Sequence, residues 1–140
     1  MTPFRHPVRV YYEDTDAGGI VYHANYLKFA ERARTEMVRL AGVNQDEMLA
    51  GGEGHAFAVR HMEIDFLKPA RLDDLLVVET VVTEAGGASV DFDQAIRRES
   101  DGAELARLKV RVAFISLDGR VARIPAQLRA SLRELVSERR

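Results

Sequence analysis

The chain has 140 residues, of which 46% are hydrophobic and 30% charged, and these proportions predict a single globular domain spanning residues 1–140. The formal net charge of −2 argues against a nucleic-acid partner, because binding to a phosphate backbone requires a basic surface. The sequence contains no cysteine, which excludes disulfides, thiolate metal sites and a cysteine nucleophile.

The hydropathy pattern predicts a protein without a membrane-spanning segment. No apolar run approaches the roughly 18 residues that a transmembrane helix needs. The first residues lack the charged-then-apolar order of a signal peptide. We therefore expect a cytoplasmic protein.

The first predicted element is a half-buried strand from Phe4 to Tyr12. Its apolar side chains, Phe4, Val8, Val10 and Tyr12, fall on even positions, which is the period of a strand with one buried face. The strand is followed at 13–19 by a polar segment with two glycines, and such a segment predicts a tight loop.

A change of period then predicts one long helix at about 24–41. Its apolar residues recur at steps of three and four: Leu27, Ala30, Ala33, Met37 and Leu40. Asn25 or a neighbouring residue is placed to cap the start of this helix, and Gly42 is placed to end it.

The remainder of the chain predicts strands and a final short helix. After a glycine-containing loop at 51–54, apolar and polar residues alternate repeatedly, and the connections at 85–87, 100–102 and 118–119 are short and turn-like. A helix with a leucine stripe follows Pro125. The predicted fold class is α+β, with a long helix packed on a curled antiparallel sheet of about five strands and a short C-terminal helix.

Common catalytic and cofactor motifs are missing. No serine lies in Gly-x-Ser-x-Gly, and neither a phosphate-binding nor a dinucleotide-binding glycine motif occurs. The four histidines lack metal-binding spacing. Asp14 and Asp16 faintly resemble a calcium loop, but Gly18 and Asn25 occupy two of its ligand positions. We expect neither a metal nor a separate cofactor.

The segment 11–26 is the strongest candidate for a site, because it runs from a strand end through a tight loop into a helix start. Backbone amides at a helix N-terminus suit a polarised carbonyl, and Asp16 lies close enough in sequence to act there as nucleophile or general base. Judged from residue types alone, Asp14 and Asp16 more often serve as hydrogen-bond acceptors that shape a loop. His23 and Glu31 likewise read first as structural residues.

The same residues resemble a known enzyme family. The run RVYYEDTDAGGIVYHANY at 9–26, continued by ERARTE at 31–36, is similar to the 4-hydroxybenzoyl-CoA thioesterase family, and specifically to its YbgC-like acyl-CoA thioesterase branch associated with the Tol-Pal envelope system. The resemblance implies a hotdog fold over nearly the whole chain. It also implies hydrolysis of acyl-CoA thioesters.

The resemblance assigns roles to particular residues. It makes Asp16 the catalytic carboxylate and places the carbonyl-polarising amides near His23 and Ala24. His23 either assists catalysis or only packs in the loop. Tyr22, Ala24 and Glu31 are implied to contact the substrate, although pairing with Arg34 is an equally good interpretation of Glu31.

The resemblance also predicts the assembly and the partners. It implies a homodimer with its helices back to back, often paired into a homotetramer, acting on acyl-CoA or on acyl carrier protein. The predicted holders of the CoA phosphates are Arg97, Arg98, Lys109 and Arg111. Two rival functions remain: a non-catalytic acyl-thioester binding or scaffold module of an envelope-associated complex, and a dehydratase acting on a 3-hydroxyacyl chain.

Overall fold

The computed structural model describes residues 3–50 and 54–137. The strands are β1 (Phe4–Arg9), β2 (His55–Phe66), β3 (Leu75–Ala85), β4 (Ser89–Arg98) and β5 (Glu104–Ser116), and the helices are α1 (His23–Leu40), α2 (Gln45–Ala50) and α3 (Ala126–Ser137). Most of the predicted loop at 51–54 lies outside the described residues. None of the described helices has the length and apolar character needed to cross a membrane.

The five strands form one antiparallel sheet in the order β1-β3-β4-β5-β2. One face of the sheet is buried, and the alternation is clearest on β4, where Val90, Phe92, Gln94 and Ile96 are buried. β1 and β2 are the two edges. The predicted α+β class and the sheet of about five strands are confirmed.

Helix α1 lies on the buried face of this sheet and packs mainly against β1 and β3. The side chains that it buries are Tyr26, Phe29, Ala30, Ala33, Met37 and Val38, at the spacing of one helix face. Helix α3 covers another part of the core against β3 and buries Leu132 completely. The arrangement of a long helix held by a curled sheet agrees with the hotdog fold that the resemblance implies.

Two details of the predicted N-terminal elements are wrong. β1 ends at Arg9, and Tyr12 starts a short 3-10 turn with 83% of its surface exposed. The chain turns there because the Asp14 carboxylate accepts a hydrogen bond from the Tyr11 N–H. Asn25 does not cap α1: it is the third helical residue, and its side-chain amide instead donates to Asp14.

A buried polar cluster joins α1 to the centre of the sheet. Gln94 of β4 donates from Nε2 to the Ala30 carbonyl at 2.9 Å and to Thr80 Oγ1 at 3.0 Å. Its Oε1 accepts from Arg34 Nη1 at 2.9 Å. Because each of these groups is removed from water, the cluster fixes how the helix is seated on the sheet.

The C-terminal end of α1 is closed by Gly42, as the sequence predicts. Gly42 has φ of 90°, and its N–H donates to the Arg39 carbonyl while the Val43 N–H donates to the Val38 carbonyl. These two bonds satisfy carbonyls that the helix end would otherwise leave open, and only glycine adopts this backbone without strain.

We expect Gly42→Ala to lower the free energy of unfolding by about 1 kcal/mol, because a Cβ at positive φ is strained even in open space. Urea denaturation measures this change. Gly87→Ala is the matched control, since Gly87 lacks positive φ and a Cβ there would meet only Arg123 Nη2, at 4.0 Å. Equal losses in both variants would contradict the strain argument.

Candidate active site

The loop before α1 is a small hairpin that carries Asp16 at its turn. Thr15 and Val21 form an antiparallel bridge, and the Asp16 N–H donates to the Ile20 carbonyl at 2.9 Å. The turn closes where the Gly19 N–H donates to the Asp16 carbonyl at 3.1 Å, and Gly19 has φ of 78°. The backbone of residue 16 is therefore fixed from both sides.

The Asp16 carboxylate is exposed and only partly occupied. Its Oδ1 accepts the Gly18 N–H at 2.8 Å, and this is its one hydrogen bond within residues 3–50 and 54–137. A Cβ at Gly18 would lie 3.3 Å from the same oxygen, so the glycine keeps space beside the carboxylate. One bond orients the group, and Oδ2 stays open to solvent.

Asp14 has a different environment and a structural role. Its two carboxylate oxygens accept the Tyr11 N–H at 2.8 Å and the Asn25 side-chain amide at 3.2 Å. Its carbonyl accepts the Tyr22 N–H at 2.9 Å. Asp14 thus ties the 3-10 turn to the first turn of α1, whereas the Asp16 carboxylate makes no such link.

The start of α1 presents free backbone donors. The Asn25 N–H donates back to the Tyr22 carbonyl at 2.8 Å, but the N–H groups of His23 and Ala24 have no acceptor among the described residues. Tyr22 holds the N-cap position and makes no side-chain cap bond. Two unpaired amides at the positive end of an 18-residue helix favour a partly negative oxygen.

Aromatic rings surround this helix start. The Tyr22 and His23 ring centroids are 4.5 Å apart, and the Phe66 ring of β2 lies 6.2 Å from His23 and 5.6 Å from Tyr26. Phe66 is 50% exposed, although it is a large apolar residue beside a polar loop. The surface next to the open amides is therefore apolar on one side.

The segment 69–74 braces the hairpin. The Val21 N–H donates to the Ala70 carbonyl at 2.8 Å, and the Leu72 N–H reaches the Gly19 carbonyl at 3.4 Å. The buried Tyr26 hydroxyl accepts the Ala70 N–H at 2.9 Å, and burial raises the pKa of that hydroxyl. Tyr26 thus links the first turns of α1 to the brace.

Arg98 supports the brace from the sheet. Its guanidinium bonds Asp74 at 3.3 Å, Asp101 at 2.8 Å and the Pro69 carbonyl at 3.1 Å. The bond to Asp101 is the main reason why the pKa of Arg98 is raised. Sequence reasoning missed this function, because the Asp73-Asp74 pair before β3 was the only local sign of a polar anchor.

The other predicted CoA-binding residues lie on β4 and β5, on the sheet face away from α1. Arg97 pairs with Glu79 at 2.7 Å and with Glu104 at 3.3 Å. Arg111 pairs with Asp91 at 2.8 Å, and this bond lowers the pKa of Asp91. Lys109 is exposed and has no ion pair within the described parts of the chain. A role for these residues in CoA binding stays a prediction.

Glu31 lies on the exposed side of α1, two turns beyond Ala24, and lines a cavity together with Arg34. No ion pair joins the two side chains within 4.0 Å in the described ranges, although the charge of Glu31 opposes the effect of burial on the pKa of Arg34. The structure therefore places Tyr22, His23 and Ala24 at the helix start, Asp16 at the turn of the hairpin that leads into it, and Glu31 farther along the same helix.

A curled antiparallel sheet around a long helix is the architecture of hotdog thioesterases, and the comparisons agree. The family model described as "Thioesterase superfamily" matches residues 18–105, and the chain belongs to this family. It is a thioesterase.

Three similar proteins support this conclusion. "Acyl-CoA thioester hydrolase YbgC" of Escherichia coli O6:H1 is 55% identical over 95 residues, 68% of this chain and 69% of that protein. "Acyl-CoA thioesterase YbgC" of Haemophilus influenzae is 49% identical over 114 residues, 81% of this chain and 82% of that protein. The crystal structure of a probable thioesterase from Bartonella henselae superposes with a TM-score of 0.81 at 41% identity, covering 86% and 98% of the two chains.

We expect Tyr26→Phe to lower the free energy of unfolding by about 1–3 kcal/mol, because the buried Ala70 N–H would lose its acceptor. Thermal or urea denaturation measures the loss. Tyr12→Phe is the control, since the Tyr12 side chain is 83% exposed. If both variants kept wild-type stability, the hydroxyl would not hold the brace.

Proposed function

We propose that this protein hydrolyses acyl-CoA thioesters to a free acid and CoA, with Asp16 as the catalytic carboxylate. One observation carries the proposal: a carboxylate with an open oxygen stands on a fixed hairpin that leads directly into a helix start with two unpaired amides. The names of the Escherichia coli and Haemophilus influenzae relatives support acyl-CoA as the substrate.

The amides supply electrostatic stabilisation in this mechanism. The thioester carbonyl oxygen accepts hydrogen bonds from the N–H groups of His23 and Ala24, where the helix dipole also favours negative charge. Charge builds on this oxygen as the carbonyl carbon becomes tetrahedral. Donors fixed in advance at that point typically lower the barrier by about 3–4 kcal/mol each.

Asp16 acts in its ionised form by one of two routes. As a nucleophile, it forms a bond to the carbonyl carbon, the C–S bond breaks, the CoA thiolate takes up a proton, and water then hydrolyses the anhydride. As a general base, it accepts a proton from the water that attacks the same carbon. His23 lies next to the reacting centre in both routes, and Tyr22 and Phe66 provide apolar surface beside it.

The rival interpretations receive less support. The relatives carry hydrolase and thioesterase names, which favours hydrolysis over a scaffold module or a dehydratase.

A homodimer is supported by the edge strand β2, where Val59 and Phe66 are 47% and 50% exposed beside an unpaired strand edge. Acyl carrier protein as a substrate carrier, the tetramer, the Tol-Pal link and the cytoplasmic location stay predictions from the sequence.

Asp16→Asn should lower kcat/KM for acyl-CoA hydrolysis at least about a hundred-fold, because the amide is neither nucleophilic nor basic. Its stability should change little, since the amide oxygen still accepts the Gly18 N–H. Release of free thiol from acyl-CoA measures the rate. Glu13→Gln removes a neighbouring exposed charge and serves as control, and near wild-type hydrolysis by Asp16→Asn would refute the assignment.

A further inference from the structure

A cavity of about 320 Å³ opens between α1, β2, β4, β5 and α3, beyond Glu31 from the proposed reaction centre. This volume is within the range of small-molecule sites. Its wall is about equally polar and apolar, and the apolar side chains include Val38, Phe57, Val90, Phe92, Val112 and Leu132. Such a mixed surface suits an alkyl chain that carries a polar group.

Two charged side chains line this cavity, the exposed Glu31 and the buried Arg34. Arg34 lines the cavity but is only 6% exposed, so its guanidinium is almost fully removed from bulk water. Within residues 3–50 and 54–137 it makes one hydrogen bond, from Nη1 to the neutral Gln94 Oε1, and no ion pair within 4.0 Å. The other guanidinium donors have no acceptor within these ranges and are not sealed from solvent, so they are available to a ligand oxygen in the cavity.

Arg34 is also held rigidly. Gln94, which receives its bond, is itself fixed by the Ala30 carbonyl and by Thr80. The guanidinium therefore cannot leave for solvent without breaking a buried network. Donors that are fixed and partly unused in a cavity recognise a ligand oxygen with little further ordering.

The charges that line the cavity determine which kind of ligand oxygen can bind to Arg34. Glu31 lines the same cavity. Burial lowers the pKa of Arg34, and the negative charge of Glu31 opposes this shift. The two charges sum to zero, so a carboxylate would be repelled by Glu31 and would lose its hydration without full compensation. A neutral hydroxyl or keto oxygen accepts from Arg34 without that penalty.

Helix α1 runs from the proposed reaction centre to the wall of the cavity. Ala24, Glu31, Thr35 and Val38 follow one another on one side of α1, at separations of seven, four and three residues. Arg34 is ten residues beyond Ala24, which corresponds to about 15 Å along the axis. An extended chain advances roughly 1.2 Å per bond, and the arginine side chain leans toward the helix N-terminus, so roughly eight to twelve bonds span the distance.

We propose that this cavity receives the distal end of a medium-length acyl chain and that Arg34 selects chains bearing a hydroxyl or keto oxygen near that end. The inference rests on the proposed acyl-CoA hydrolysis and names its substrate class. Arg34 is a specificity-determining residue here, since the reacting atoms lie elsewhere. A buried donor of this kind discriminates strongly against analogues that lack the acceptor.

The test compares decanoyl-CoA, 10-hydroxydecanoyl-CoA and the matching ω-carboxyl thioester on the intact protein. Wild-type kcat/KM should be about ten-fold or more higher for the hydroxylated chain than for the plain one, mainly through KM, with the carboxylated chain below the hydroxylated one. Arg34→Met should bring the ratio of hydroxylated to plain substrate close to one. Arg32→Met, on the exposed side of the same helix, should leave that ratio unchanged.

A second variant tests whether the cavity holds the acyl chain, even if Arg34→Met does not fold. Thr35→Leu fills part of the cavity and leaves Arg34 in place, so it should slow hydrolysis of both ten-carbon chains and spare acetyl-CoA. A wild-type ratio near one, preference for the carboxylated chain, or an unchanged ratio in Arg34→Met would overturn the inference. The proposed hydrolysis would still stand if Asp16→Asn abolished turnover, and it fails separately if wild-type protein cleaves no acyl-CoA.

Discussion

The start of α1 is held from two directions, and the geometry of the site depends on this double attachment. From one side, Asp14 binds the Tyr11 N–H, the Asn25 side chain and, through its carbonyl, the Tyr22 N–H. From the other side, the segment 69–74 binds the hairpin and is anchored by Tyr26. The backbone that carries Asp16 and the amides of His23 and Ala24 is therefore held in place, and the proposed mechanism depends on this because donors fixed in advance need little reorganisation.

Asp14 and Asp16 lie only two residues apart, but their carboxylates differ in how many hydrogen bonds they accept. Asp14 is bonded through both oxygens to its own loop and helix, whereas within residues 3–50 and 54–137 the Asp16 carboxylate accepts a single backbone bond and keeps one oxygen open. The structural interpretation of aspartates in loops fits the contacts of Asp14, whereas a catalytic role of Asp16 stays a proposal. A similar contrast holds for the cations: Arg98 is used in ion pairs, while Arg34 is buried beside a cavity with donors left over.

The buried cluster of Arg34, Gln94 and Thr80 joins α1 to the sheet and also borders the cavity. It seats α1 on the sheet, and it holds the guanidinium at the cavity wall. Polar groups in a core cost free energy unless they are satisfied, and here the sheet satisfies Gln94 while Arg34 retains donors. The same cluster thus fixes the helix position and, in the proposed function, contacts the acyl chain through Arg34.

The sequence by itself determined the fold class, the long helix with Gly42 at its end, and the segment that carries the site, because periodicity and turn chemistry are local properties of neighbouring residues. It could not show that β1 ends at Arg9, that Asn25 binds Asp14, or that Arg98 supports the loop at 69–74. Those facts depend on contacts between residues far apart in the chain, such as Tyr26 and Ala70. Only the tertiary structure decided which aspartate stays open and where the buried guanidinium of Arg34 lies, since both follow from packing in three dimensions.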